Sequence, residues 1–291
     1  MPEMIVTTTE AGLSLEVFLQ QRLAAAPVAY LRKLVKDGKI QRASTMSAAV
    51  VAGERIVLPD SRRLVDLLAQ SEKMALVILH ETEQLLILDK PSGLATHAGQ
   101  GHEEDNLTAR VAGLLQRRGE RFMAAPIQRL DRETSGVVLF GKGKKNCSVL
   151  GTMMMTATVT KSYLALVKGN INTDGTLATE IPAKGKTKTA VTSYQVLAAN
   201  DSASLLQIEL GTGRQHQIRH QFQQIGHPLY GDRRYPGPCP ENLSRLFLHC
   251  RQLAFVDPFS DTPLRVSSPL VQELVTFLQQ SGFDSVVIAD L

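Results

Sequence analysis

The residues of this chain that most clearly could do chemistry lie in the segment Gln128-Arg-Leu-Asp-Arg-Glu-Thr-Ser-Gly136. Asp131 stands between Arg129 and Arg132, whose positive charges favour an ionised carboxylate. The strand-like run VVLF follows at 137–140, so we expect the carboxylate at the entrance of a strand, where clefts form. From these nine residues alone, an ion pair that caps a surface turn is the favoured interpretation, and a carboxylate in a binding cleft is the alternative.

Two histidines, His216 and His220, have the spacing of a zinc-binding helix, but Gln217 stands where a metalloprotease needs a glutamate base. We therefore interpret both as hydrogen-bonding or RNA-facing groups and expect no metal. A metal-dependent nuclease that uses the two histidines is the lowest-ranked hypothesis, and it predicts sensitivity to chelators.

A glycine-rich run, GVVLFGK at 136–142, has the outline of a phosphate-binding loop. Such a loop needs Ser or Thr after the lysine, and Gly143 stands there instead. The four middle residues are typical of a strand. We therefore exclude nucleotide hydrolysis.

Strands and helices that could position these groups alternate from Leu76 onward. The runs between 163 and 210 follow one another without a helix-length segment, which is incompatible with a strict βαβ repeat. The pattern predicts an α+β fold with a mixed, largely antiparallel central sheet and flanking helices. Predicted strands lie at 85–88, 137–140, 163–167, 192–197 and 205–210, and predicted helices lie near 106–117, 146–155, 214–225 and 270–280.

The N-terminal segment concentrates positive charge, with nine basic residues against three acidic ones between Gln20 and Arg63. That excess of six is larger than the whole-chain net charge of +4. Helical spacing of apolar residues predicts one helix from Leu15 to Leu23 and a second that ends before Gly38. The second helix presents a basic face that suits phosphate contacts, with a solvated charged face as the alternative. Its basic residues are Arg32, Lys33 and Lys36. The stretch from Pro59 to Met74 is interpreted as a linker.

Composition excludes several classes of protein. The chain has 291 residues, of which 43% are hydrophobic and 21% charged, as in soluble globular proteins. We expect no membrane span and no secretory signal, because no long uncharged apolar run is present. Three separated cysteines suit a reducing compartment. We therefore expect a cytoplasmic protein.

Five blocks of the sequence, in order, resemble the RluA family of pseudouridine synthases, enzymes that isomerise uridine in RNA. One of them contains the RLD-x-x-TSG core around Asp131, and together the blocks extend over nearly all of residues 76–270. The others are LLILDKPSGLATHAG, KSYLALVKG, GTGRQHQIRHQFQQIGHPLYGD and LFLHCRQLAF.

The resemblance implies roles for individual residues. It makes Asp131 the catalytic carboxylate, Arg219 its arginine partner and Tyr163 the ring that packs against the target base. Arg129 is expected to probe the RNA around an extruded nucleotide. The chain departs from the family at Gln128, where histidine is usual, so a proton-carrying role at that position is not expected.

The segment from Leu15 to Val57 resembles the small RNA-binding domain of the S-four type, although Gln41-Arg-Ala-Ser44 replaces the usual Val-Asn-Gly. The resemblance implies a small N-terminal α/β RNA-binding domain with its linker at 1–74 and a catalytic domain at 75–291.

The implied function is isomerisation of uridines in structured RNA by a monomer that needs no cofactor, with ribosomal RNA of the large subunit as the favoured substrate. The alternatives are a synthase that acts on transfer RNA and a non-catalytic RNA-binding or ribosome-assembly factor. The residues expected to bind RNA are Lys90, Arg129, Arg132, Arg214, Arg32, Lys33 and Lys36.

Overall fold

The structure, a computed structural model, describes residues 2–8, 10–42, 48–99, 101–156, 158–183, 186–289 and 291. The chain divides into two units. One contains the described residues of Met1–Leu76 with Arg110–Phe122, and the other contains Val77–Ala109 with Met123–Leu291. No helix within the described ranges is long and apolar enough to span a membrane.

The N-terminal unit is a three-stranded antiparallel sheet with helices beside it. The sheet has the order β1-β3-β2. Side chains of all three helices and of β3 meet in one apolar cluster, in which Phe18, Leu31, Ile56 and Leu64 are fully buried. The elements are β1 (Glu3–Ile5), α1 (Leu15–Arg22), α2 (Val28–Lys36), β2 (Gln41–Arg42), β3 (Arg55–Val57) and α3 (Arg62–Met74).

Both helices that the sequence predicts in this unit are confirmed. Ser14 caps α1 by accepting a hydrogen bond from the amide of Val17, and α2 ends before Gly38, which has a φ of 64°. Residues 43 and 44, where the chain departs from the S-four pattern, lie outside the described residues.

The prediction of a linker between Pro59 and Met74 is wrong, because most of this stretch forms α3. Leu64, Leu67 and Ser71 recur at three- and four-residue intervals and are all buried. The Ser71 hydroxyl bonds to the Leu67 carbonyl and to the Ala25 amide. Exposed residues of this stretch, such as Arg63, Asp66 and Gln70, occupy the solvated face of an amphipathic helix.

The second unit is built on a mixed sheet, as the sequence predicts. Among the described residues ten strands join in the order β4-β5-β7-β12-β8-β11-β10-β9, with β6 beside β7 and β13 beside β12. The strands are β4 (Val77–Glu81), β5 (Leu85–Lys90), β6 (Ala124–Pro126), β7 (Ser135–Lys142), β8 (Thr160–Lys168), β9 (Gly175–Ala183), β10 (Lys186–Ala199), β11 (Ala203–Leu210), β12 (Leu248–Asp257) and β13 (Thr262–Ser267). In the described part of the chain, β12 with β7 is the single parallel pair.

The five predicted strands are confirmed, and the glycine-rich run at 136–142 is the wholly buried strand β7 rather than a phosphate-binding loop. The predicted helices are present too, although the third begins at Gln217 rather than 214. The helices that follow α3 along the chain are α4 (Leu107–Arg117), most of which belongs to the first unit, and α5 (Lys144–Met154), α6 (Gln217–Gln224), α7 (Gln272–Gln280) and α8 (Ser285–Ala289) of the second.

Gly136 allows β7 and β12 to approach each other closely. Its φ is 110°, and a side-chain Cβ at this position would lie 2.1 Å from the carbonyl oxygen of Cys250. Only glycine fits there without displacing the backbone. The Thr-Ser-Gly turn thereby fixes the start of β7, directly after the loop that carries Asp131.

Candidate active site

The loop that carries Asp131 is clamped by the segment that follows β5. The Thr96 hydroxyl donates to the Leu130 carbonyl and accepts from the Leu130 amide, at 2.8 and 3.2 Å. The Gly93 amide donates to the Arg132 carbonyl at 2.8 Å, and the Ser92 hydroxyl donates to the next carbonyl along the loop, that of Glu133. The backbone on both sides of Asp131 is therefore held by the DKPSGLATH block of the sequence.

Lys90 belongs to this clamp, and the prediction that it lies on an RNA-binding rim is wrong. Its side chain is fully buried, and the ammonium donates to the carbonyls of Pro91, Leu94 and Arg132 at 2.9, 2.7 and 3.1 Å. Burial and the nearby Arg245 lower the pKa of Lys90 to about 7. The charged ammonium has three N–H groups, one for each of these carbonyl oxygens, so Lys90 holds the two backbone segments together by hydrogen bonds.

Gln128 also supports the loop. Its amide nitrogen donates to the Val137 carbonyl, and its amide oxygen accepts from the Leu139 amide. Both functional atoms of the side chain are thus occupied by β7. This arrangement needs an acceptor and a donor at fixed positions, which glutamine supplies at any pH.

Helix α6 is oriented by two glutamines one turn apart. Gln217 donates to Val191 O and Gln221 donates to Ala190 O, both at 2.9 Å, which anchors one face of the helix to β10. Residue 219 lies midway between them in sequence and hence on the opposite face. The spacing of the RQHQIRHQ run therefore directs Arg219 away from the sheet strand that anchors the helix.

Arg219 reaches Asp131, as the sequence resemblance implies, and it also binds a second carboxylate. Its Nη1 lies 3.3 Å from Asp131 Oδ2. Its Nε and Nη2 donate to the two oxygens of Asp232, at 2.7 and 2.8 Å. Asp232 is fully buried. Burial alone would lower the pKa of Arg219, but Asp232 and Asp131 together raise it. The guanidinium is thus a permanent charge, held by one carboxylate and directed at the other.

His216 approaches the other oxygen of Asp131. Its Nε2 lies 3.6 Å from Asp131 Oδ1, and its Nδ1 lies 3.3 Å from the Tyr235 hydroxyl. The residue precedes α6 in a left-handed conformation, with a φ of 52°. Burial lowers the pKa of His216, and Arg219 adds to that effect while Asp131 opposes it. His216 is therefore a neutral hydrogen-bonding group beside the carboxylate at pH 7.

The two histidines do not both belong to helix α6. His216 lies before the helix, and its ring and that of His220 each pack edge-to-face with Tyr235, with centroids 5.8 and 5.6 Å from that of the tyrosine ring. Within the described ranges, no three His, Cys, Asp or Glu side chains come together in a group that could hold a metal ion.

A cavity of about 430 Å³ opens beside Asp131, and Tyr163 lines it. Such a volume lies within the range of small-molecule sites. Burial raises the pKa of the Tyr163 phenol well above its usual value, and the neighbouring Cys250 and Asp131 act in the same direction. The phenol is therefore protonated at neutral pH. The apolar part of the wall comes from Ile127, Leu130, Met154, Leu210, Ile218 and Leu248.

The remaining predicted RNA-binding residues are exposed. A second cavity, of about 540 Å³, lies beside the 430 Å³ cavity, and Arg129 lines both. Arg214 lines only the 430 Å³ cavity, and Arg132 lines only the second one. In the N-terminal unit, the buried Leu31 and Leu34 define the inner face of α2. Its basic residues Arg32, Lys33 and Lys36 are exposed.

Sequence reasoning missed the part of the site that follows α6. Asp232, Arg233, Arg234 and Tyr235 surround Arg219 or line the second cavity, and none was assigned a role. The available signal was the Gly-Asp-Arg-Arg-Tyr run itself, in which an acid that follows a glycine turn precedes two cations and an aromatic ring.

Comparisons with known proteins agree with this geometry. Residues 84–224 match the family described as RNA pseudouridylate synthase. The chain is 29% identical to ribosomal large subunit pseudouridine synthase C of Escherichia coli K12, over 94% of this chain and 95% of that protein. It is 31% identical to ribosomal large subunit pseudouridine synthase D of Nitrosomonas europaea, over 95% of this chain and 87% of that protein. The fold resembles human RNA pseudouridylate synthase domain containing 4, with a TM-score of 0.57 and 23% identity over 76% of this chain and 97% of that one.

Proposed function

Because the chain belongs to the RNA pseudouridylate synthase family, whose members are isomerases that act on RNA, we propose that it converts uridine to pseudouridine in ribosomal RNA of the large subunit. Two relatives that match the chain almost from end to end carry that substrate in their names. The observation that supports the chemistry best is the pairing of Asp131 with a buried arginine at a cavity.

The reaction exchanges one bond to the ribose for another. The glycosidic bond from C1′ to N1 breaks, the freed uracil turns, and a bond from C1′ to C5 forms. The C5 proton leaves and N1 gains a proton, so the composition of the RNA is unchanged and no oxidant or reductant is consumed. The protein has to cleave a C–N bond, retain the base and move protons.

Asp131 supplies the reactive group in this proposal. A carboxylate can attack the ribose or the uracil ring as a nucleophile, or remove a proton from the sugar as a base, and each role requires the ionised form. Arg219 stabilises that form at 3.3 Å. Because Arg219 is itself fixed by Asp232, the carboxylate meets a preorganised positive charge rather than a mobile one.

Tyr163 holds the base in the 430 Å³ cavity. Its ring offers a flat surface against which the uracil can turn between bond cleavage and bond formation. Its raised pKa keeps the phenol protonated, so the group enters the reaction as a hydrogen-bond donor.

The target nucleotide has to leave the RNA stack to reach Asp131, at a cost of about a few kcal/mol. Arg129, Arg132 and Arg214 are exposed around the two cavities and can offset that cost by binding phosphates. In the proposal, residues 1–74 form an S-four-type RNA-binding domain whose exposed basic face on α2 adds a second, tethered contact. Site choice is then shared between RNA shape and that domain.

Asp131→Asn tests the function. Tritium release from large-subunit ribosomal RNA labelled at uridine C5 measures turnover, and filter binding measures affinity. We expect the variant to bind RNA as the wild type does and to release no tritium above background, without added metal in either case. Glu209→Gln, which removes an exposed carboxylate from β11, is the control and should turn over normally. Turnover by Asp131→Asn would refute the assignment of the catalytic carboxylate.

A further inference from the structure

The second cavity is lined by more arginines than the one that Tyr163 lines. It has a volume of about 540 Å³ and is lined by five arginines and three histidines against two carboxylates, those of Asp131 and Glu133. Few large apolar side chains reach it. The arginines are Arg129, Arg132, Arg219, Arg233 and Arg234.

The two cavities meet at Asp131. Arg129, Asp131 and Arg219 line both of them, whereas Tyr163 lines only the first, and Arg233 and Arg234 line only the second. The first cavity adds an aromatic ring and several apolar side chains to the groups around Asp131, and the second adds further arginines. A nucleotide bound across both cavities would have its base and its phosphate on opposite sides of the sugar carbon at which the glycosidic bond changes.

The cations of the second cavity are built into a fixed turn. Asp232 Oδ1 accepts hydrogen bonds from the amides of Arg234 and Tyr235, at 3.0 and 2.9 Å, in addition to its bond with Arg219. The preceding Gly231 has a φ of 73°, and a Cβ there would lie 2.0 Å from the Arg245 carbonyl oxygen. A fully buried carboxylate therefore sets the backbone position of both Arg233 and Arg234.

The guanidinium groups of Arg233 and Arg234 are free to bind a ligand. Arg233 is exposed and has no hydrogen bond or ion pair with any other described residue. Arg234 is exposed as well. Its guanidinium carbon lies 6.0 Å from the centre of the Tyr235 ring, and no carboxylate of a described residue forms an ion pair with it. A planar pair of N–H donors is the geometry that arginine uses to bind phosphate oxygens.

We propose that the second cavity binds the phosphate group adjoining the everted uridine, with Arg233 and Arg234 as its ligands. The inference rests on the proposed function, since it places the base in the Tyr163 cavity and the sugar at Asp131. The phosphate contact orients the nucleotide so that the glycosidic bond, rather than the phosphodiester, faces the carboxylate. The two arginines thus act in substrate positioning.

Isothermal titration of the full-length protein with uridine, uridine 5′-monophosphate and uridine 3′-monophosphate tests the site without knowledge of the target RNA. We expect one of the monophosphates to bind at least about tenfold more tightly than uridine, as a charge-assisted contact predicts. The double variant Arg233→Gln/Arg234→Gln should lose that gain and retain the affinity for uridine itself. The monophosphate that shows the gain identifies which phosphate the cavity takes.

Arg265→Gln is the matched control, because Arg265 is an exposed arginine of β13 that lines neither cavity. It should keep the full gain, and both arginine variants should unfold at the wild-type temperature. Equal binding of uridine and both monophosphates, a gain that survives in the double variant, or a gain that Arg265→Gln also loses would each overturn the phosphate site. Any of these results together with normal tritium release would leave the isomerase function intact. If the titrations give the expected results but the wild-type protein releases no tritium, the phosphate site is supported and the isomerase function is refuted.

Discussion

Asp232 connects more parts of the site than any of the side chains around it. Its two oxygens bind the Arg219 guanidinium, and one of them also accepts the amides that shape the turn at Arg234 and Tyr235. A buried carboxylate with this many partners fixes the positions of its neighbours but adds little net stability. The cost of removing its charge from water offsets much of its attraction for the arginine.

Asp232→Asn should therefore impair turnover as well as stability. Loss of the charge leaves a buried guanidinium poorly compensated, which costs about 3 kcal/mol, and frees Arg219 to shift away from Asp131. We expect a lower unfolding temperature and a fall in kcat of at least about tenfold after correction for the folded fraction. Thermal unfolding and tritium release measure the two effects.

Asp257→Asn separates the two effects. Asp257 is also buried, but its carboxylate bonds to the turn at Phe259 and Ser260, far along the chain from the site. That variant should lose stability and keep the kcat of its folded fraction. An Asp232→Asn enzyme whose kcat is normal once folded would show that Arg219 needs no second carboxylate.

Among the elements of the fold, the segment from Lys90 to Thr96 has the most direct effect on the site. Its side chains donate hydrogen bonds to the carbonyls of Leu130, Arg132 and Glu133. The Asp131 carbonyl accepts from the Thr134 amide within the loop. The loop thus has one well-defined backbone course, although it lies in no strand or helix.

Lys90→Met should loosen this loop. Removal of the ammonium takes a hydrogen-bond donor from the carbonyls of Pro91, Leu94 and Arg132, the last of which keeps the Gly93 amide, so we expect a lower unfolding temperature and a kcat that falls more than RNA affinity does. Lys142→Met is the control, because Lys142 is also buried but pairs with Glu81 on β4. Comparable kcat losses in both variants would indicate a general effect of destabilisation rather than a role for the clamp.

The junction of β7, β12 and the residue after β13 depends on the neutral form of His249. Its Nε2 donates to the Ser268 carbonyl at 3.1 Å, so Nδ1 accepts from the Ser135 hydroxyl at 2.9 Å. Burial lowers the pKa of His249 to about 4. A second proton would place a donor at Nδ1 and an unsolvated charge in the sheet.

Stability should consequently depend on pH through His249. Between pH 6.5 and about pH 4 the unfolded chain binds a proton that the folded chain does not. The free energy of unfolding therefore decreases as the pH is lowered through this range, by about 3 kcal/mol in total. Above pH 6.5 this contribution is constant. His249→Gln should be less stable at pH 7 but lose less stability between pH 6.5 and 4, as measured by urea unfolding. An unchanged pH dependence would exclude His249 as its source.

For the whole molecule, the two units divide RNA binding from chemistry in the proposed function. The chemistry-bearing groups Asp131, Tyr163 and Arg219 all belong to the second unit. The exposed basic face of α2 belongs to the first, and one of its charges is partly used, since Arg32 Nε lies 2.5 Å from Glu16 Oε1.

Replacement of Arg32, Lys33 and Lys36 by glutamine should weaken RNA binding and leave kcat at saturating RNA unchanged. For every phosphate that the variant no longer binds, the slope of log affinity against log salt should decrease by about 0.7 to 0.9. Filter binding over a series of salt concentrations measures that slope. Lys188→Gln/Arg265→Gln removes two exposed charges from the second unit as a control and should leave the slope unchanged. An unaltered slope in the triple variant would mean that α2 does not bind phosphate.

Predictions from local pattern succeeded where periodicity is strong. The buried runs of β5, β7 and β8 and the amphipathic α2 were all located from sequence. The two clear errors have different causes. Lys90 is a charged side chain that the surrounding elements bury, whereas in α3 leucines at helical spacing pack into the core and the charged side chains that the structure describes stay exposed.

The sequence by itself determined the family, the mixed sheet and the candidate carboxylate with its arginine, since these follow from motif order, apolar periodicity and residue chemistry. The tertiary structure alone decided that Asp232 directs Arg219, that His216 lies beside Asp131, and that two cavities adjoin that carboxylate. Asp131 and Asp232 are about a hundred residues apart in the chain, and only the packing of α6 against β10 brings both within reach of one guanidinium. Such contacts depend on distances between elements, which spacing along the chain does not encode.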